Sequence, residues 1–177
     1  EMRARREAEA YGYEAVHDPL TDLLNRRGFL RALRGARERC GLDGSEHYLM
    51  YLDLDGFRGI NSRGGHEAGD ALLREVGRAL QSKVRRGDSV GRMGGDEFTV
   101  LLVDCAVEHG TLIADQIVDA VSEAIVGDLG VTVSVGAVPV TAASSQDVAA
   151  LLSAADHACF EAKNSGGAQV RLHAAPH

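Results

Sequence analysis

Two extended runs, Ser89 to Met93 and Phe98 to Val103, flank Gly94-Gly95-Asp96-Glu97. A glycine pair between such runs signals a β-hairpin, because glycine reaches the positive φ angles that a tight turn needs. The hairpin would carry two carboxylates at its tip. A second acidic pair closes another run: Tyr48-Leu49-Met50-Tyr51-Leu52 is short, mostly apolar and bounded by polar residues, as a buried strand is, and it ends in Asp53-Leu54-Asp55.

The rest of the chain alternates helical and extended patterns. Residues 1 to 16 are charged and Ala-rich with a weak apolar face, and are read as a linker helix from an upstream module, with the folded domain at 17 to 177. After the break at Asp18-Pro19, Asn25 is placed to cap a helix from Arg26 to about Cys40, with Phe29, Leu33 and Ala36 at helical spacing. Gly64-Gly65 breaks the loop after the acidic strand. A stripe of Leu72, Leu73, Val76, Ala79 and Leu80 then predicts a helix to about Val84. Further elements follow as a helix from Ala106 to Ile125, a strand from Val131 to Val138, a helix from Ser145 to Asn164 and a strand from Gln169 to Leu172. The order β-α-β-β-α-β predicts an α+β fold, the ferredoxin-like split βαβ, with a mainly antiparallel sheet and helices packed on one face. In that arrangement the first strand lies beside the hairpin, and its acidic end approaches the Gly94-Gly95 turn.

Length and charge narrow the function. At 177 residues the chain is one core rather than two. No apolar run reaches the roughly 20 residues that cross a bilayer, so the segment is expected to be cytoplasmic, without direct membrane contact. Its first residue is Glu1 rather than Met, and it is read as a fragment whose parent could carry sensors or a membrane anchor. Cys40, Cys105 and Cys159 are widely spaced and form neither a disulfide framework nor a zinc site. The net charge of −7 argues against nucleic-acid binding and means that a nucleotide ligand needs a divalent cation.

Asp53 and Asp55, two apart on a strand, share a face. With Asp96 and Glu97 they make a site of hard oxygen donors without His or Cys, which suits Mg²⁺, or Mn²⁺ in its place. Two such ions serve phosphoryl transfer, one lowering the pKa of an attacking hydroxyl and one neutralising the leaving pyrophosphate. On spacing alone, acidic strand ends and Gly-Gly turns are also ordinary surface features.

Arg92-Met93-Gly94-Gly95-Asp96-Glu97-Phe98 resembles the defining motif of the GGDEF family of diguanylate cyclases. Asp18-Pro19-Leu20-Thr21-Asp22-Leu23-Leu24-Asn25-Arg26-Arg27, Asp53 to Asn61 and Gly65 to Asp70 agree with that family in order and spacing. The resemblance implies a core of the nucleotidyl cyclase and polymerase palm type and the condensation of two GTP into cyclic di-GMP by a homodimer, each half holding one nucleotide. It implies that Asp53, the Leu54 carbonyl and Asp96 hold the metal, and that Asp96, assisted by Glu97, activates the 3′-hydroxyl. Asn61 and Asp70 would read guanine, with His66 nearby, and Gly94 and Gly95 would leave room for the nucleotide. Lys163 would contact phosphates. Arg58, where the family commonly has Lys, would steady developing charge. Arg85 and Asp88, an R-x-x-D pattern ending six positions before Gly94, match the family's inhibitory product site. One position departs from the pattern: Gly167 stands where Arg is frequent, removing a phosphate donor. The rival reading is a silent domain that binds cyclic di-GMP or GTP as a regulator, and a third is a structural dimerisation module.

Overall fold

A computed structural model describes residues 1–125, 130–144 and 147–173. Helix α1 (Met2–Glu14) buries none of its residues. Its end is tied to the domain by the Tyr13 hydroxyl donating to Asp22 at 2.7 Å and by Asn25 Nδ2 donating to the Ala15 carbonyl at 3.1 Å. Asn25 also caps α2 (Arg26–Asp43), its side chain accepting from the Gly28 N–H. The helix passes through Gly41 and ends at Asp43, three residues beyond the expected Cys40 end, with Gly44 as its left-handed cap.

Strand β1 (His47–Asp55) leads into α3 (Phe57–Ser82), interrupted at Gly65 by non-helical backbone. The glycine pair at 64 and 65 therefore kinks one long helix rather than ending a loop, and the helix begins at Phe57, directly after the acidic strand end. β2 (Ser89–Gly94) and β3 (Glu97–Leu102) form the expected hairpin. Then come α4 (Val107–Ala124), β4 (Thr132–Val140), α5 (Val148–Asn164) and β5 (Val170–Leu172). Asp147 caps α5 by accepting from Ala150 N–H at 2.8 Å. Ser145 and Gln146, where this helix was expected to begin, and residues 174 to 177 of the expected domain lie outside the described residues.

The sheet order is β2-β3-β1-β4-β5, antiparallel except where β5 pairs with β4. This is the split βαβ arrangement, with one correction: helices cover both faces. Tyr48, Met50, Leu52 and Leu54 of β1 pack with Leu72, Val76 and Leu80 of α3 and Ile117 and Val121 of α4. The alternate residues, Leu49 and Tyr51, pack with Phe29 and Leu33 of α2 and Leu151 and Ala155 of α5. Each fully buried side chain of this size contributes about 1.5–3 kcal/mol of transfer free energy, so neither layer is dispensable. Alternation carries Asp53 and Asp55 onto the α2 and α5 face, beyond Leu49 and Tyr51. Among the described residues no helix is long and apolar enough to cross a membrane.

Candidate active site

Antiparallel pairing sets Asp53 directly opposite Glu97, and the Leu54 N–H donates to the Asp96 carbonyl at 3.2 Å. The turn between them uses Gly94 at φ 145° and Gly95 at φ 51°, conformations that side chains rarely adopt. Nothing lies within 4 Å of a Cβ built on either glycine, so the turn faces open space beside the acids.

One oxygen of Asp53, Oδ1, is buried without a hydrogen-bond partner. The other, Oδ2, is 3.3 Å from the Lys163 ammonium, which also donates to the Leu54 carbonyl at 3.2 Å. Burial, and then the negative charge of Asp96, push the Asp53 carboxyl up to about 6 against the pull of Lys163, with Glu97 adding to the rise. An orphaned carboxylate oxygen, crowded acids and a carbonyl already engaged by a cation make a donor set that fits a hard divalent ion. Among the described residues no three His, Cys, Asp or Glu side chains cluster closely enough to hold a metal alone. A cation here would take Asp53, Asp96 and the Leu54 carbonyl and complete its shell from water and phosphate oxygens.

Asp55, which shares the face, is occupied otherwise. Its carboxylate accepts from Thr132 Oγ1 at 2.8 Å, Ser134 Oγ at 2.9 Å and the Ala168 N–H at 3.2 Å. It ties β1 to β4 and to the chain after α5. Gly167 adjoins it at φ 71°, and a Cβ there would stand 2.8 Å from Asp55 Oδ2, so the chain is built around glycine at this position.

The other expected site residues lie along α3 and at the far end of the hairpin. Arg58 is exposed on the first turn of α3 and His66 is exposed just past the Gly65 kink. Asn61 and Asp70 are half-buried on either side of that kink. Asn61 Oδ1 is buried without a partner and faces Gly69, where a Cβ would come within 2.0 Å of it. Arg85 and Asp88 precede β2, at the end of the hairpin away from the turn, roughly 20 Å from the acids at about 3.3 Å per strand residue. The Asp88 side chain is 1% exposed, and its oxygens accept from the backbone N–H groups of Arg85 at 2.8 Å and Val103 at 2.9 Å. The Arg85 side chain is 57% exposed.

Three contributors were not singled out in the sequence. Tyr51, read only as part of an apolar run, donates its hydroxyl to Glu97 Oε2 at 2.9 Å, and burial, reinforced by that bond, keeps the phenol protonated. Arg92 lies within the quoted motif, but its role needed geometry. It donates to the Gly95 carbonyl at 3.0 Å and to Asp18 at 3.1 Å, so one guanidinium fastens the acid-bearing turn to the segment after α1. Burial disfavours the Asp18 anion, yet the Thr21 hydrogen bonds and Arg92 outweigh it and hold that carboxyl below the usual range. The third is Ser134, a polar residue in an apolar strand, which is the sequence signal for the Asp55 anchor.

Fold and site define a class: a split βαβ domain with carboxylates gathered where its central strand meets a glycine turn. A protein-family profile described as "Diguanylate cyclase, GGDEF domain" matches residues 15–169. The chain is 37% identical over 173 residues to the probable diguanylate cyclase DgcE of Escherichia coli, covering 96% of this chain and 16% of that protein. It is 39% identical over 158 residues to the response regulator PleD of Caulobacter vibrioides, covering 86% of this chain and 35% of PleD. The chain therefore spans well under two thirds of these relatives. The coiled coil and GGDEF domain of DgcB from Caulobacter crescentus, solved in complex with c-di-GMP, superimposes with a TM-score of 0.89 at 27% identity, covering 97% of this chain and 92% of that one. The active GGEEF domain of a diguanylate cyclase from Vibrio cholerae gives 0.80 at 26% identity, covering 87% and 99%. This chain belongs to the GGDEF family of diguanylate cyclases.

Proposed function

We propose that this chain is the catalytic domain of a diguanylate cyclase that condenses two GTP into cyclic di-GMP and two pyrophosphates in a Mg²⁺-dependent homodimer. The observation that carries the reading is the buried, unpartnered Asp53 Oδ1 beside Asp96, Glu97 and the Leu54 carbonyl. A bound Mg²⁺, or Mn²⁺, supplies charge neutralisation on the triphosphate and a lowered pKa for the attacking hydroxyl. Each 3′-oxygen bonds to the α-phosphorus of the other nucleotide while the bond from that phosphorus to pyrophosphate breaks. The hydroxyl proton passes to Asp96, and Glu97, held by Tyr51, keeps the local field negative. Lys163, freed from Asp53 and Leu54, turns to the phosphates, and Arg58 at the start of α3 offers a second cation. Asn61 and Asp70, with His66 at the kink, read the guanine edge. Helix α1 is the linker that holds two domains at high effective concentration and brings in control from upstream. Incubating the purified chain at high concentration with GTP and Mg²⁺ and separating the products tests this. Cyclic di-GMP is expected. Its absence from a confirmed, GTP-bound dimer would favour the regulatory-receptor reading, with Gly167 the first residue to examine.

The brace through Arg92 gives a second expected result. Arg92→Ala removes the contact from Asp18 to Gly95 while leaving every acid in place. Turnover should fall about tenfold, and stability by about 1.5–3 kcal/mol, the range for a charge-assisted hydrogen bond. Initial rates and thermal melts check both, and Arg92→Lys should restore little because one ammonium does not reproduce the guanidinium fork.

Product inhibition is expected at Arg85, whose exposed guanidinium donates to the Val103 carbonyl and pairs with Asp88 and would turn from them to fork onto phosphate or guanine acceptors. Arg85→Ala should leave the initial rate within twofold and raise the inhibitory concentration of cyclic di-GMP at least tenfold, read from progress curves with added product. Unchanged inhibition would remove Arg85 from that role. Asp88→Ala is the poorer probe, because its carboxylate already holds two backbone N–H groups.

A further inference from the structure

Helix α2 carries six arginines against Glu38 and Asp43, in a chain of net charge −7. Arg39 is paired with Asp43 and Asp104, whereas Arg26 and Arg34 have no ion-pair partner among the described residues. Both line a groove of about 290 Å³ between α2 and α5. Arg26, Leu30 and Arg34 recur every four residues and so share one side of the helix, with the two arginines roughly 12 Å apart at 1.5 Å per residue. Leu30, Leu152, Val148 and Tyr51 supply apolar lining, and the exposed Ser153 and Asp156 of α5 supply the opposite wall.

The mixture of groups selects the ligand. A bare phosphate would gain from the arginines but be repelled by Asp156, and an apolar ligand would leave all three charges without use. A guanine nucleotide uses every element: phosphates on forked arginines, a ring on the apolar lining, and N1–H and 2-amino donors to a carboxylate. The groove also lies on the reacting face. Tyr51, in its lining, donates to the catalytic-turn Glu97, and Asp156 is two helical turns before Lys163 on α5. The first nucleotide's expected contacts, Asn61, Asp70 and Lys163, are all outside it.

We propose that this groove is a second guanine-nucleotide subsite, in which Arg26 and Arg34 take nucleotide phosphates and Asp156 takes a guanine edge. The proposal rests on the cyclase reading of the neighbouring acids. The nucleotide comes either from the GTP held by the partner protomer or from released cyclic di-GMP, which share this chemistry.

The test is the Arg26→Ala/Arg34→Ala double variant of the full chain, whose exposed substitutions should leave the melting temperature unchanged. Three quantities are compared with the unaltered chain: affinity for 3′-deoxy-GTP with Mg²⁺, which binds but has no 3′-hydroxyl to attack; dimerisation driven by that analogue, from sedimentation; and affinity for cyclic di-GMP, from calorimetry. Unchanged analogue affinity with at least tenfold weaker dimerisation assigns the groove to the partner's nucleotide. Unchanged analogue affinity and dimerisation with at least tenfold weaker cyclic di-GMP binding assigns it to product. Three unchanged values overturn the proposal, as does an equal loss of analogue affinity, which would place the arginines in the first site. None of these readouts requires turnover, so a chain that makes no cyclic di-GMP would sink the cyclase reading while the groove is still decided.

Discussion

Asp53→Asn is expected to abolish cyclic di-GMP synthesis, by on the order of 10³-fold, and at the same time to raise the melting temperature of the metal-free chain. Loss of one group that stabilises developing charge costs about 10²–10³ in turnover, and the amide removes the anionic oxygen that a cation at this site needs. The stability gain comes from the same crowding that makes the site useful. Asp53 is half-buried opposite Glu97 and close to Asp96, and its carboxyl is pushed up to about 6 by burial and those charges. A carboxyl whose folded pKa lies above its unfolded value favours the fold when protonated. That contribution is complete below about 4, declines as pH rises, and is gone above about 6, where an ionised Asp53 strains the site. Removing the charge should relieve about 1 kcal/mol at neutral pH, the amount being reduced because Lys163 loses its partner. Melts from pH 4 to 8 should show the unaltered chain losing stability across that window and the Asn variant staying flatter there. Proton competition at Asp53 should also weaken Mn²⁺ affinity toward tenfold per unit as pH falls below 6. An Asn variant that still makes product would remove Asp53 from the metal site. One that is both inactive and less stable than the unaltered chain would show that Asp53 helps to hold the fold.

Much of this site is legible in the linear sequence because its determinants are local. The Gly94-Gly95 turn, the acidic end of the Tyr48 to Leu52 run and the Asn25 cap each follow from a few adjacent residues whose backbone preferences agree. Long-range partners are what the sequence conceals. Nothing local distinguishes the ring of Tyr51 from another core aromatic until Glu97 is brought opposite Asp53, and Arg92 meets Asp18 only after Leu24 has paired beside β2. The expectation of helices on one face failed for a physical reason that the sequence did contain. A strand covered on one side alternates apolar with polar, whereas Tyr48 to Leu52 is almost continuously apolar, as strands buried on both faces are. Gly64-Gly65 misled in the opposite direction: the same residues that end a loop also kink a helix, and only the packing of Phe57 and Ile60 into the core decides that the helix starts before them.

Gly136→Val should be the most destabilising single substitution in the sheet, costing about 3 kcal/mol or more, the upper end for overpacking, or preventing recovery of folded protein. Gly136 sits in β4 opposite Tyr51, where α5 crosses the sheet. A Cβ built there would lie 2.0 Å from the Ala155 carbonyl oxygen and 2.2 Å from the Cys159 N. Those obstacles are helix backbone, so no rotamer change relieves them and α5 must move off β4, opening the layer formed by Leu151, Ala155 and Cys159. Lys163, on the last turn of α5, would move with it, so activity should fall even in whatever fraction folds. Gly12→Ala provides the contrast. In α1 nothing lies within 4 Å of the added methyl, and alanine in an exposed helix should gain about 0.5–1 kcal/mol of local helix stability. Denaturant unfolding of Gly136→Val, with circular dichroism of both variants, separates the cases. If Gly136→Val unfolds at the same midpoint as the unaltered chain, α5 does not press on β4 as closely as the two backbone distances require, and the placement of Lys163 against Asp53 and Leu54 falls with it.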